Sequence, residues 1–85
     1  MSMPHVSIKL YPGRTLDQKK ALTQRIVAAM AETVGADDKS ISVSFEEVAP
    51  ADWPEMVVKP DIAGKLDCVV KLPGYESKYL KDIEK

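Results

Sequence analysis

The feature that most constrains the fold is a change of hydrophobic period, from two to about four and back to two, between residues 4 and 48. Apolar and polar side chains alternate in PHVSIKL, residues 4–10, and again in ISVSFEEV, residues 41–48. This alternation is typical of strands with one buried face. Between these segments, apolar residues recur at steps of four and predict a helix with one apolar face. The stripe consists of Leu22, Ile26, Met30 and Val34.

Both ends of the predicted helix carry capping signals. Thr15 stands three residues before Gln18, the spacing of a capping box. Gly35 follows the last apolar residue of the stripe, where a left-handed cap is preferred. Strand, long helix and strand over some 45 residues form a βαβ unit. We therefore expect two parallel strands joined by a right-handed crossover.

The remainder of the chain is less regular. APADWP, residues 49–54, predicts a turn that presents Trp53, and PEMVV, residues 54–58, predicts one helical turn. Pro60 suits the first position of a second helix. The apolar face of that helix would comprise Ile62, Leu66, Val69 and Val70, and LPG at 72–74 would end it. The charged residues 76–85 are interpreted as a frayed helix or a mobile tail.

A chain of 85 residues predicts a single domain, spanning residues 1–85, of the α/β (α+β) class. Its sheet would have only two parallel strands, which is too few for stability in isolation. A second copy of the chain is the simplest source of further strands. We therefore expect a homodimer or a higher oligomer that builds one continuous sheet.

Composition excludes several function classes. The net charge is −1, from 12 basic and 13 acidic side chains mixed along the chain, so no nucleic-acid or membrane partner is expected. We find neither an apolar run of the roughly 20 residues that a membrane span needs nor a secretory signal, and we expect a cytoplasmic protein. The single Cys68 fits a reducing compartment, and one His with one Cys predicts no metal site.

Counted from Pro4, the segment PHVSIKLYPGR followed by a capped helix resembles the tautomerase superfamily, and most closely the 4-oxalocrotonate tautomerase family. The turn at Trp53, the segment KLPGY at 71–75 and the chain length resemble its dimeric phenylpyruvate-type branch. The resemblance extends from residue 4 to about residue 75. It implies a βαβ fold, isomerase activity without a cofactor, and a small 2-keto acid as the substrate. We favour a homodimer over a hexamer, if residues 52–72 cover edges that hexamers use for contact.

The resemblance also implies roles for individual residues. Pro4 falls on the catalytic amino-terminal proline, which moves a proton between an enol oxygen and carbon. Arg14 falls on the arginine that binds the substrate carboxylate, and Trp53 on the aromatic wall of the pocket. The family's second arginine corresponds here to Ser42, a departure that favours a monocarboxylate such as phenylpyruvate over a dicarboxylate.

The chemistry of these residues permits this mechanism without requiring it. A free α-amino group titrates near pH ~8, and burial or a neighbouring guanidinium such as that of Arg14 lowers this value toward neutrality. Each residue also has a structural interpretation: Pro4 as an edge-strand residue, Arg14 as a solvated charge and Trp53 as a packing residue. His5 lies on the polar face of the first strand without an evident partner, and we expect no general base there.

The proposed chemistry requires that no residue precede Pro4, since an internal proline has no titratable nitrogen. Two explanations stay open. Met3 is the initiator and is removed, with Met1 and Ser2 belonging to an added or misassigned start, so that residues 1–3 are a leader. Alternatively, the protein is a non-catalytic small-molecule-binding or assembly module that keeps the fold with a blocked Pro4.

Overall fold

A parallel pair of strands joined by one long helix forms the first part of the computed structural model, which describes residues 3–81 and 83. Strand β1 comprises His5–Leu10, helix α1 Leu16–Val34 and strand β2 Ser42–Glu47. The register places His5 opposite Ser42 and Leu10 opposite Glu47. The predicted βαβ unit and its parallel pairing are confirmed.

The two faces of this sheet differ in polarity, as the alternation predicts. Val6 and Ile8 of β1 are half-buried, as are Val43 and Phe45 of β2. The opposite face carries an exposed polar row that includes His5, Ser7, Ser42 and Ser44. Helix α1 lies on the apolar face, where Lys19 places its Nζ 6.0 Å from the centroid of the Phe45 ring and 3.3 Å from Glu47 Oε2.

Both predicted caps of α1 are present. The backbone N–H of Gln18 donates to the Thr15 hydroxyl at 3.1 Å, and the Thr15 N–H donates to Gln18 Oε1 at 2.8 Å. Gly35 adopts a left-handed conformation with φ of 69°, which suits a residue without a Cβ. The N–H groups of Gly35 and Ala36 both donate to the Met30 carbonyl. The capping residues therefore determine where α1 begins and ends.

The apolar stripe of α1 is only partly covered within one chain. No residue of α1 is buried, and Leu16 and Val34 are 65% and 61% exposed. Among the described residues up to Glu47, Ala36 is the one buried hydrophobic side chain. Apolar surface of this kind is what association with a second copy would remove from water.

The second compact unit begins at Val48. Its main element is a π-helix, Pro54–Ile62, flanked by the 3₁₀ turns Pro50–Asp52 and Ala63–Lys65. Val48, Val57 and Val58 are its buried hydrophobic residues among those described. A single domain over residues 1–85 stays a prediction. Among residues 3–81 and 83, no helix combines the length and apolarity needed to span a membrane.

The predicted second helix, starting at Pro60 and reaching Val70, is wrong. Pro60 lies inside the π-helix, and Val70 is fully exposed outside any helix. Proline cannot donate a backbone hydrogen bond and normally ends an α-helix. Here the turn is wider, and the Ala63 N–H donates to the carbonyls of both Lys59 and Val58. The wider turn accommodates Pro60 inside the helix. The helix begins at Pro54, six residues earlier than predicted.

The charged C-terminal segment contacts the π-helix region. Trp53 Nε1 donates to Tyr75 Oη at 3.1 Å, and the Tyr79 hydroxyl donates to Glu55 Oε1. Residues 82, 84 and 85 of the predicted mobile tail lie outside the described residues.

Candidate active site

Pro4 lies immediately before the first residue of β1 and is half-buried. Its carbonyl accepts a hydrogen bond from the Ser42 N–H at 3.2 Å, so the sheet ladder reaches Pro4. Met3 stands outside the strand, 66% exposed and with a φ of 49°, a backbone conformation that few residues other than glycine adopt. Met1 and Ser2, part of the predicted leader, lie outside the described residues.

A polar cluster beside Pro4 was missed by the sequence analysis. His5 Nδ1 lies 2.7 Å from Ser42 Oγ, and His5 Nε2 lies 3.4 Å from Ser44 Oγ. Both ring nitrogens of His5 therefore face serine hydroxyls of β2. The signal was available in part, since a parallel pairing of the two alternating segments places His5 and Ser42 on the same polar face.

Arg14 lies in the connection between β1 and α1 and is exposed. Pro4 precedes the N-terminal end of β1, whereas Arg14 follows its C-terminal end, and the six residues of β1 span about 20 Å. One chain therefore does not bring Arg14 beside its own Pro4. A guanidinium that lowers the pKa of the Pro4 amine would therefore have to come from another copy of the chain.

Trp53 belongs to the second unit, where it ends the 3₁₀ turn Pro50–Asp52 and is half-buried. Its indole N–H donates to the Tyr75 hydroxyl, so one edge of the ring is held by the segment KLPGY. The predicted aromatic turn is present. The contact with Tyr75 was not predicted, because nothing in the local pattern pairs residues 22 positions apart.

A charged cluster surrounds Tyr79 in the same unit. The Tyr79 hydroxyl donates to the Glu55 carboxylate, and this bond lowers the pKa of Glu55 and raises that of Tyr79. Lys78 Nζ lies 3.6 Å from Glu55 Oε1 and 5.1 Å from the centroid of the Tyr79 ring. The negative charges that Tyr79 and Glu55 carry when they are ionised favour the protonated form of Lys78 and raise its pKa. On the same ring, Lys59 Nζ lies 5.9 Å from the centroid.

Acidic, histidine and cysteine side chains form no group of three or more suited to a metal ion among residues 3–81 and 83. The chemistry-bearing groups of the first unit are thus the Pro4 ring, the His5–serine cluster and the Arg14 guanidinium. The two ends of β1 carry different chemical groups: the Pro4 ring at one end and the fork of N–H donors of Arg14 at the other.

Comparison with known proteins agrees with the strand–helix–strand pattern. The family model described as "Tautomerase enzyme" matches residues 4–57. A protein of Xylella fastidiosa named as a probable tautomerase is 37% identical over 73 residues, which cover 86% of this chain and 89% of the relative. Tautomerase PptA of Pectobacterium carotovorum is 37% identical over 74 residues, covering 86% of this chain and 97% of the relative.

Solved structures give the same result for the fold. A 4-oxalocrotonate tautomerase isozyme from Methylibium petroleiphilum superposes with a TM-score of 0.55 at 36% identity, covering 59% of this chain and 81% of that one. A 4-oxalocrotonate tautomerase homologue of the tomaymycin biosynthetic pathway, TomN, superposes with a TM-score of 0.56 at 32% identity, covering 59% and 77%. The resemblance stated from the sequence is confirmed: the chain belongs to the tautomerase family of isomerases.

Proposed function

We propose that this protein is a cofactor-independent keto–enol tautomerase that acts on a 2-keto monocarboxylate such as phenylpyruvate. Pro4, with a free secondary amine, takes the hydroxyl proton of the enol and delivers a proton to the adjacent carbon, which yields the ketone. The base is regenerated in each cycle, and no atom of the protein is consumed. A group that both accepts and returns a proton works best when its pKa is near the operating pH.

The position of Pro4 supports this proposal most. The ring lies at the N-terminal end of β1, with its carbonyl bound to Ser42, while Met3 is exposed and outside the strand. Removal of Met3 would therefore cost no strand pairing. Pro4 would then carry the amine on the half-buried end of a sheet, where partial desolvation lowers the pKa of an amine.

For Arg14 we propose that the guanidinium serving a given Pro4 comes from a second copy of the chain. About 20 Å of β1 separates the two ends of the strand within one chain. In an assembly that extends the sheet, the end of one strand lies near the opposite end of an antiparallel neighbour. The planar fork would hold the substrate carboxylate through two parallel hydrogen bonds.

For Trp53 we propose the role of an apolar wall that excludes water from the reacting atoms. Exclusion of water strengthens the electrostatic interactions made by Arg14 with the substrate. Ser42 stands at the position of a second arginine in the resemblance, and a serine hydroxyl offers no positive charge. A monocarboxylate therefore suits the site better than a dicarboxylate.

The test compares three forms of the protein: one that begins at Pro4, one that retains Met3, and Pro4→Ala in the mature form. We expect phenylpyruvate ketonisation well above the buffer rate in the first form only. Ala offers a primary amine at the same place, so residual activity in that variant measures how much the proline ring contributes. A rate equal to that of buffer in the form that begins at Pro4 would contradict the proposal.

The alternative function, a binding or assembly module with a blocked Pro4, predicts a different mature mass. Intact mass spectrometry of the protein isolated from its native cells distinguishes the two. A mass that begins at Pro4 supports the enzyme. A mass that includes Met3 or the residues before it supports the binding module.

A further inference from the structure

We propose that Ser42 is a positioning residue that, together with His5, holds the Pro4 ring in its reactive orientation. This inference rests on the proposed function of Pro4 as the proton-transfer group. Ser42 makes two bonds to one dipeptide: its N–H donates to the Pro4 carbonyl at 3.2 Å, and its Oγ lies 2.7 Å from His5 Nδ1. Both contacts of Ser42 are made with Pro4 and His5, so in this proposal Ser42 acts through Pro4.

The location of this contact makes a second bond useful. β1 begins at His5 and β2 begins at Ser42, so the contact joins the first residues of both strands. The ends of strands are where pairing is weakest, and a two-stranded sheet is marginal by itself. A ladder bond alone would leave Pro4 on a fraying end. The side-chain bond between Ser42 and His5 adds a second contact between the strands at the same end of the sheet.

We refer to His5, Ser42 and Ser44 together as the clamp. Within the clamp, the His5 side chain connects β1 to both serines of β2. Its Nε2 lies 3.4 Å from Ser44 Oγ, so serines on the same face of β2 face both ring nitrogens. A neutral imidazole has one donor and one acceptor nitrogen, and an imidazolium has two donors. A serine hydroxyl serves as either donor or acceptor. The clamp can therefore form in both charge states of His5, which makes His5 a holding group rather than a proton carrier.

The clamp fixes the peptide plane to which the Pro4 ring is attached. The peptide bond between Pro4 and His5 is planar. The Ser42 N–H fixes the carbonyl side of that peptide plane, and the His5 ring fixes the residue that follows it. Rotation about the Cα–C bond of Pro4 is what remains. Proton transfer requires the nitrogen within hydrogen-bond reach of the substrate, so loosening the plane reduces the productive fraction.

This mechanism predicts a specific kinetic pattern. In the protein that begins at Pro4, Ser42→Ala removes the hydroxyl but keeps the backbone N–H. Since a hydrogen bond of this type contributes a modest net free energy, kcat should fall by about threefold to tenfold. KM should change by less than about twofold, because the carboxylate is bound by Arg14 and not by the clamp. Ser42→Thr, which retains a hydroxyl on a strand-favouring residue, should restore kcat to within about twofold.

Matched variants separate positioning from a general loss of structure. Ser7→Ala makes the same substitution on the same polar face, one exposed position along β1, and should leave kcat and KM unchanged. His5→Phe removes the bond from the other partner while keeping a ring. The double variant of His5→Phe and Ser42→Ala should lose no more kcat than His5→Phe alone, because both single variants remove the contact between His5 Nδ1 and Ser42 Oγ. Equal losses in Ser7→Ala and Ser42→Ala, or additive losses in the double variant, would overturn the proposal.

A readout without turnover makes the test independent of the proposed function. His5 is the one histidine of the chain, so its ring NMR signals are assigned without further variants. Ser42→Ala should shift the NMR signal of His5 Nδ1. It should also raise the rate at which an isocyanate carbamoylates the Pro4 amine. Both measurements are made on variant protein whose thermal stability equals that of the parent. If the parent protein shows no ketonisation, the proposed function fails while these signals still decide the clamp. Unchanged His5 signals and an unchanged carbamoylation rate would refute it.

Discussion

The chemistry available to Pro4 depends on whether another residue precedes it, because an acylated proline nitrogen carries no proton and has no useful basicity. The other residues of the site are less ambiguous. Arg14 presents a rigid fork of N–H donors. His5 was expected to have no evident partner, whereas its ring nitrogens face the hydroxyls of Ser42 and Ser44.

At this scale, Arg14→Ala is expected to weaken binding of the substrate carboxylate. Charge-assisted hydrogen bonds contribute about 1.5–3 kcal/mol, so KM for phenylpyruvate should rise by roughly 10- to 100-fold. Arg14→Lys keeps the charge without the fork and should give an intermediate KM. Steady-state kinetics provides the measurement, with Arg25→Ala on the exposed side of α1 as the control. A KM in Arg14→Ala equal to that of the control would remove Arg14 from the site.

At the scale of elements, capping residues decide the boundaries of α1, whereas Pro60 does not decide those of the π-helix. Thr15 and Gln18 begin α1, and Gly35 ends it, as the sequence predicts. Pro60 had been predicted to start a helix, yet it lies inside the π-helix Pro54–Ile62. The capping signals are local and therefore readable from a few residues. Pro60 is tolerated because the turn of the π-helix is wider than that of an α-helix. No local sequence pattern predicts this wider turn.

The capping box gives a direct stability prediction. Thr15→Ala should lower the free energy of unfolding by about 1 kcal/mol, because the Gln18 N–H loses its acceptor. Chemical denaturation at one fixed protein concentration measures this, since an associating protein gains stability with concentration. Thr33→Ala in the last turn of α1 removes a hydroxyl bonded to a carbonyl four residues earlier and should cost less. An equal cost at both positions would contradict the prediction.

The Glu55–Tyr79 bond makes attachment of the C-terminal segment dependent on pH. Glu55 has a pKa below its ordinary 4.5 when the segment is attached, so its contribution is present above pH 4.5 and is lost as the pH falls through the lowered value. Tyr79 has a pKa above its ordinary 10.0, so its contribution is present below pH 10.0 and is lost as the pH rises through the raised value. Attachment should therefore be strongest between these limits.

Trp53 reports this attachment, because it is the one tryptophan of the chain and Tyr75 of the same segment accepts its N–H. Its fluorescence should change at the acid and alkaline limits. Glu55→Gln, which keeps an acceptor but cannot titrate, should abolish the acid transition. Glu76→Gln, an exposed carboxylate of the same segment, should leave it in place. Persistence of the acid transition in Glu55→Gln would assign it to another group.

At the scale of the whole molecule, one chain leaves both strands as edges and leaves α1 without a buried residue. It also separates Pro4 from Arg14 by the length of β1. The open strand edges and the uncovered helix limit the stability of one chain, and the separation of Pro4 from Arg14 limits its chemistry. Association with a second copy of the chain would cover the edges and supply an Arg14 to each Pro4.

Subunit mixing tests the shared site. Pro4→Ala and Arg14→Ala proteins, each impaired at a phenylpyruvate concentration well below the KM of Arg14→Ala, are mixed in equal amounts and allowed to exchange. The mixture should regain about a quarter of the parental activity if the assembly is a homodimer, because half of the dimers are hybrids with one intact site of two. Light scattering gives the number of subunits. Absence of recovery in a verified hybrid, or a monomer by light scattering, would contradict a site built from two copies.

The alternation of residues 4–10 and 41–48, the stripe of α1 and its caps determined the βαβ unit, because each depends on neighbours within one turn or one strand. The family was also readable from the order of these elements, while the assignment of Pro4, Arg14 and Trp53 to the site stays a prediction. Only the tertiary structure decided that Ser42 binds Pro4 and His5 and that Tyr75 binds Trp53. These facts depend on strand register and on contacts between residues far apart in the chain, which no local pattern encodes.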